Sequence, residues 1–112
     1  MLYVENDHII RLTRGDTAYL EVNITNADSE TGEYEISSDD SLALSIKKKV
    51  KDSEYLLNKV ITGSSVFHIK PEDTSDIPFG KYLYDVQLTT GSGDVYTIIE
   101  PTTFEILPEV TT

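Results

Sequence analysis

The sequence predicts an all-β protein: an immunoglobulin-like antiparallel β-sandwich of about seven strands, with one short helical turn before the penultimate strand. Three observations carry this prediction. Apolar and polar side chains alternate with a period of two along most of the chain, and β-branched and aromatic residues are plentiful. Gly, Pro, Asn and Asp interrupt the alternation at short intervals, as strands joined by tight turns require. A helical signal one turn long, "PEDTSDIP", stands directly before the most regular alternation in the chain. At 112 residues the chain is one domain by length, large enough to bury roughly two thirds of its unfolded surface.

The first strand is expected over His8 to Arg14 and the second over Thr17 to Thr25, where Ala18, Leu20, Val22 and Ile24 share a face and Glu21 and Asn23 oppose them. Between the two, Gly15 and Asp16 supply a two-residue hairpin turn. Residues 26 to 40, "NADSETGEYEISSDD", are polar and rich in turn formers, which predicts a long loop with a short strand at Glu33 to Ile36. The third main strand turns Leu42, Leu44 and Ile46 inward and runs into Lys47, Lys48 and Lys49, charges that blunt its far end against edge pairing. The next covers Glu54 to Thr62 in one of two registers, with either Leu56 and Val60 or Tyr55, Leu57 and Ile61 inward. A short strand at Ser65 to Ile69 follows.

Pro71 suits the first helical position, Glu72 and Asp73 suit the positive end of the helix dipole, and Pro78 stops the helix. Gly80 then lets the backbone bend. Beyond it Tyr82, Tyr84, Val86 and Leu88 share a face, opposed by Lys81, Leu83, Asp85 and Gln87. A loop at Gly91 to Gly93 leads into a last strand at Asp94 to Ile99, broken by Pro101 and resumed at Phe104 to Leu107. In sandwiches of this class a tyrosine at the start of the penultimate strand returns its hydroxyl to the preceding corner. Tyr82, with Gly80 at the bend, is the residue placed for that structural role.

Composition narrows the function. The formal charge is -11, from 20 acidic and 9 basic residues, which disfavours nucleic acid and anionic membrane as partners. With no cysteine there are no disulfides, thiolate metal sites or cysteine nucleophiles. "MLYVENDHII" lacks the basic and apolar segments of a signal peptide, and no apolar run is long enough to cross a bilayer, so the expectation is a soluble protein without an export signal. Acidic residues crowd positions 28 to 40 while Lys47, Lys48, Lys49 and Lys51 follow at once. The asymmetry reads either as two solvated faces or as head-to-tail pairing between copies.

No catalytic constellation emerges. His8 and His68 fall near the ends of different strands with no spacing for a common metal, and no acid and base pair stands out among the carboxylates. Asp28, Glu30 and Asp39 fit a calcium loop poorly, because Glu33 stands where glycine is required. Gly91 to Gly93 joins two strands and opens no helix, so it is no phosphate cradle. "RGD" at residues 14 to 16 matches an integrin-binding tripeptide, but glycine followed by aspartate is ordinary turn chemistry. No cofactor or metal is expected. Seven tyrosines are the one unusual enrichment. Tyr3, Tyr19, Tyr34 and Tyr96, with Lys47, Lys48 and Lys49, are the residues expected to serve interaction, with protein or with sugar.

Three stretches, "IRLTRGDTAYLEV" (Ile10 to Val22), "IKPEDTSDIPFGKYLYDVQLT" (Ile69 to Thr89) and "GDVYTIIEPTTFEI" (Gly93 to Ile106), together resemble a group of small phage- and prophage-encoded proteins of Gram-positive bacteria. These are similar to the immunoglobulin-like N-terminal domain of siphophage baseplate upper proteins. Residues 26 to 60 match only in general character. The resemblance implies a non-enzymatic structural or accessory protein of the phage. It would be a baseplate or tail docking module, present in several copies as a homo-oligomer and bound to other phage structural proteins, in the virion or in the host cytoplasm during assembly. It lacks the helical and shoulder regions of the larger proteins, so it is expected to stand alone or to pair with a separate protein. It implies no catalytic residues. The alternative is a carbohydrate- or cell-surface-binding module.

Overall fold

The structure is a computed structural model that describes residues 2–4, 8–26 and 32–110. In chain order its elements are β1 (Leu2–Tyr3), β2 (Ile10–Thr13), β3 (Ala18–Glu21), β4 (Thr25–Asn26), β5 (Ser41–Lys47), β6 (Leu57–Thr62), β7 (Val66–Ile69), α1 (Pro71–Thr74), β8 (Gly80–Thr89) and β9 (Val95–Leu107). The fold is all-β and sandwich-like. One layer is a five-stranded mixed sheet in the order β2-β9-β8-β5-β6. The other consists of the β3-β7 ladder and the β1-β4 pair, with β3 and β4 as successive parts of one extended run. The penultimate and last strands lie side by side at the middle of the larger sheet, the arrangement of immunoglobulin-like sandwiches.

Alternation builds the core. Leu42, Leu44 and Ile46 of β5 and Tyr82, Tyr84, Val86 and Leu88 of β8 point inward, and Phe67 and Ile69 of β7 meet them from the other layer. Val22 and Ile24 are buried as well, and Ala18 and Leu20 pack against the cluster, so the second run has the face its pattern predicts. In β6, Leu57 and Ile61 pack inward whereas Val60 is 62% exposed, which selects one of the two open registers. Tyr55 of that register lies outside the strand and is exposed.

The structure corrects four expectations. The sandwich is not wholly antiparallel: β2 pairs with β9 in parallel, Ile10 opposite Phe104 and Thr13 opposite Leu107. Accordingly, Gly15 and Asp16 do not close a hairpin. Asp16 N–H donates to the Thr13 carbonyl (3.0 Å) with Gly15 at φ 82°, a turn that carries the chain from the larger sheet to the other layer. A tight turn reverses the chain, but the partner each arm finds is decided by which apolar face must be buried. Glu33 to Ile36 is not a strand: Glu33 forms one isolated bridge with Thr25, and the Tyr34 N–H donates to the Ile24 carbonyl.

Fourth, Pro101 does not break the last strand. β9 runs through it because the ladder with β8 is irregular there: Tyr84 pairs with Thr102 and Val86 with Ile99, so Asp85 faces two residues, Glu100 and Pro101. A bulge is where a strand tolerates a residue without an N–H. A second shift follows at once, between Val86 and Gln87, and both Ile98 and Ile99 turn inward.

Candidate docking face on the five-stranded sheet

One end of the sandwich is fixed by turns. Tyr82, 9% exposed, donates its hydroxyl to the Pro78 carbonyl at 2.5 Å, across the bend where Gly80 takes φ 153°. Asp73 of α1 accepts the Lys70 N–H (2.7 Å) and the Lys59 ammonium (2.5 Å). Burial alone would raise the Asp73 pKa, but these two donors win and hold it below the ordinary carboxylate value. Buried Thr74 accepts the Gly15 N–H at 2.8 Å, which ties the Arg14–Asp16 turn to α1. Arg14 itself is engaged: it grips Glu109 through two nitrogens (3.0 and 2.6 Å) and covers the Phe79 ring.

At the other end the Asp40 carboxylate, 3% exposed, accepts the Tyr34 hydroxyl (2.6 Å) and the backbone N–H groups of Ser37 (3.1 Å) and Gly91 (3.2 Å). The Tyr34 bond leads the causes that hold Asp40 below the ordinary carboxylate pKa, and the same bond with burial pushes Tyr34 up to about 12. Tyr34 is thus a structural clasp. Tyr19, 68% exposed on the outer surface of β3, stacks on His68 with centroids 4.5 Å apart and planes at 9°. Tyr96 opposes inward Leu88 and lies at the rim toward Tyr34. These rings form no common strip. The Tyr3 side chain, Asp28 and Glu30 lie outside the described residues. Among the described residues no cluster of His, Asp or Glu could hold a metal ion, and His8 hydrogen-bonds the Val4 carbonyl.

The feature that sequence reasoning missed is the outward face of the large sheet. Across its middle, alternation presents Thr103, Leu83, Asp85, Gln87, Ala43, Ser45, Asn58 and Val60, with Lys47 at the edge of the group. In a chain of charge -11, the outward positions of β5, β6 and β8 in this stretch carry one carboxylate and one ammonium, and Glu100 on the β9 bulge is exposed beside them. The turn after β5 overhangs it, so that Val50 and Tyr55 on one side, Leu83 and Pro101 on the other, and Ser45, Asp85 and Gln87 beneath enclose a groove of about 220 Å³. Lys47 Nζ lies 4.8 Å from the Tyr55 ring centroid rather than on Asp85. Among the described residues none hydrogen-bonds the Asp85 carboxylate, and its half-buried setting raises its pKa despite the Lys47 charge. Lys48 and Lys49 are exposed on the same turn. A larger recess, about 570 Å³, lies between residues 22–25, 33–36 and 63–65.

One sequence signal pointed here. Asp85 is the only acid at an outward position between Leu83 and Gln87, and the Glu100-Pro101 pair that lines up with it marks the bulge. No protein-family model matches the chain, and no curated protein matches it. No helix among the described residues is long and apolar enough to cross a membrane.

Proposed function

We propose that the protein is a non-enzymatic docking module of a phage or prophage tail or baseplate, acting through protein–protein contacts made by the outer face of its five-stranded sheet. The observation that carries this reading is the outward face of β5, β6 and β8 from Ala43 to Lys47, Asn58 to Val60 and Leu83 to Gln87, where Asp85 and Lys47 are the only charges in a strongly acidic chain, since interface centres are depleted in charge relative to the rest of the surface. Resemblance of three stretches to the N-terminal domain of baseplate upper proteins supplies the setting. Docking by the face is favoured over docking by the edge. The free edge strand β6 turns Lys59 inward onto Asp73, a charge that must be buried or stripped of its partner if another strand is added there.

Mass spectrometry of tailed particles from a strain carrying the gene tests the setting, together with light scattering of the chain mixed with tail proteins of the same phage. Peptides of this chain in the particles, or a stoichiometric complex, are expected. A chain missing from particles and inert toward every tail protein overturns the reading. The sugar-binding alternative gains no support from Tyr19, Tyr34 and Tyr96: Tyr34 is tied to Asp40, and Tyr19 is stacked on His68.

A further inference from the structure

We infer that the groove over Asp85 is a receptor for one basic side chain, a lysine or arginine carried between apolar residues on a partner protein. The inference rests on the docking reading and names the chemistry of the contact. Four features converge on it. The floor is made of acceptors: Asp85, its cross-strand neighbour Ser45, and Gln87, whose Nε2 is directed to Thr97 (3.4 Å) and leaves Oε1 over. An ammonium or guanidinium has donors only, and hydrogen bonds from such a group to a carboxylate are the strong ones. The walls, Val50, Tyr55, Leu83 and Pro101, are apolar and suit the methylene stem of a long basic side chain. The volume, about 220 Å³, is below the roughly 300–1,000 Å³ usual for small-molecule sites, and suits a single side chain.

The fourth feature explains why the chain does not fill the site itself. The bulge in β9 sets Glu100 and Pro101 across the ladder from Asp85, and neither side chain has a hydrogen to donate to its carboxylate. Lys47 also lines the groove, one row from Asp85, but its ammonium is held on the Tyr55 ring instead. A half-buried carboxylate without a donor is a cost to the free protein that an incoming cation relieves. The acidic surroundings, 20 acids against 9 bases, draw such a partner in and repel an acidic one.

The test is an NMR titration of the full ¹⁵N-labelled chain with three blocked tripeptides, leucine-lysine-leucine, leucine-arginine-leucine and leucine-norleucine-leucine. Saturable shifts at the amides of Ser45 and of residues 83 to 87 are expected with the two basic peptides and not with norleucine. Asp85→Asn should weaken the response about tenfold, the loss of a charge-assisted contact. Lys47→Met should strengthen it, by removing the competing cation, and this variant keeps the idea testable whatever Asp85→Asn does to folding. An equal response to norleucine, or one spread over the acidic surface and unchanged in Asp85→Asn, overturns the inference. So does the absence of any saturable shift. Should a tail-protein complex form equally well with Asp85→Lys, the groove is excluded as the contact while the docking reading stands. Basic-peptide binding by a chain that enters no tail complex removes the docking reading and keeps the site.

Discussion

Single side chains hold both ends of this sandwich, and they do so by one device: a polar tip anchored to backbone from inside the core. For Tyr82 the ring is buried and the hydroxyl reaches the Pro78 carbonyl, so Tyr82→Phe removes one hydrogen bond and leaves that carbonyl short of a partner. The expected loss is about 1 kcal/mol, read from the urea midpoint, and an unchanged midpoint would mean the corner is idle. Asp40 is the heavier case. Its carboxylate collects Tyr34, Ser37 and Gly91, so Asp40→Ala strands one hydroxyl and two backbone donors at once, a loss of roughly 2–4 kcal/mol. Gly91 has no room for more, because a Cβ there would stand 2.8 Å from the Asp39 Cβ, and Gly91→Ala is expected to destabilise as well. Asp85 reverses the logic. Its pKa is raised in the fold, so its ionised form opposes folding, and the sign is a penalty present above that pKa and relieved as pH falls. Asp85→Asn should therefore raise the thermal midpoint at pH 7 and leave it nearly unchanged in acid. A midpoint lowered at pH 7 would show that the carboxylate is a structural partner after all.

Strands and their edges show how far a linear pattern reaches. Period-two alternation reveals which residues of β5, β7 and β8 face the core, because burial of one face is a local property of the strand. Pairing is not local. The parallel partnership of β2 and β9 joins residues more than ninety positions apart, and nothing around Gly15 tells a hairpin turn from a turn between layers. Similarly, Pro101 looks like a strand end until the ladder shows two residues opposite one. The groove was illegible for the same reason: it needs the overhang of Tyr55, the bulge at Pro101 and the register of Ser45 against Asp85, three long-range facts. Lys59 is a further instance, a charge on an inward position of an edge strand that makes sense only once Asp73 is beside it. Both side chains are mostly buried, at 19% and 15% exposure, so Lys59→Ala should cost about 1–3 kcal/mol. Lys59→Val should cost less in folding and yet promote self-association at the β6 edge, measured by sedimentation velocity. A monomeric Lys59→Val would show that the edge is guarded by something else.

Charge governs the behaviour of the whole molecule. Three carboxylates, Asp40, Asp73 and Glu109, have pKa values held below their ordinary range by hydrogen bonds, from Tyr34, Lys59 and Arg14 respectively. A depressed carboxylate contributes stability that is fully present above its unfolded pKa, about 4, and is lost as pH falls through the folded value. Acid should thus unfold the protein through these three groups, while relief at Asp85 works weakly the other way. Salt acts on a different balance. At pH 7 eleven negative charges are uncompensated on one small domain, and three ion pairs among the described residues, Arg11–Glu105, Arg14–Glu109 and Lys59–Asp73, are set against them. Arg11 is 64% exposed and its pair contributes little. Screening weakens surface repulsion and surface attraction alike, but it reaches the mostly buried Lys59–Asp73 pair least, so repulsion is what salt removes first. Raising ionic strength from about 0.01 to 0.15 M, which shortens the screening length from about 30 to 8 Å, should raise the thermal midpoint at pH 7. Near the isoelectric point, pH 4.4, net repulsion is absent and the same salt step should leave the midpoint level or lower it. Calorimetry at the two pH values decides the matter. A midpoint that falls with salt at pH 7 would mean that specific ion pairs outweigh the general excess of negative charge.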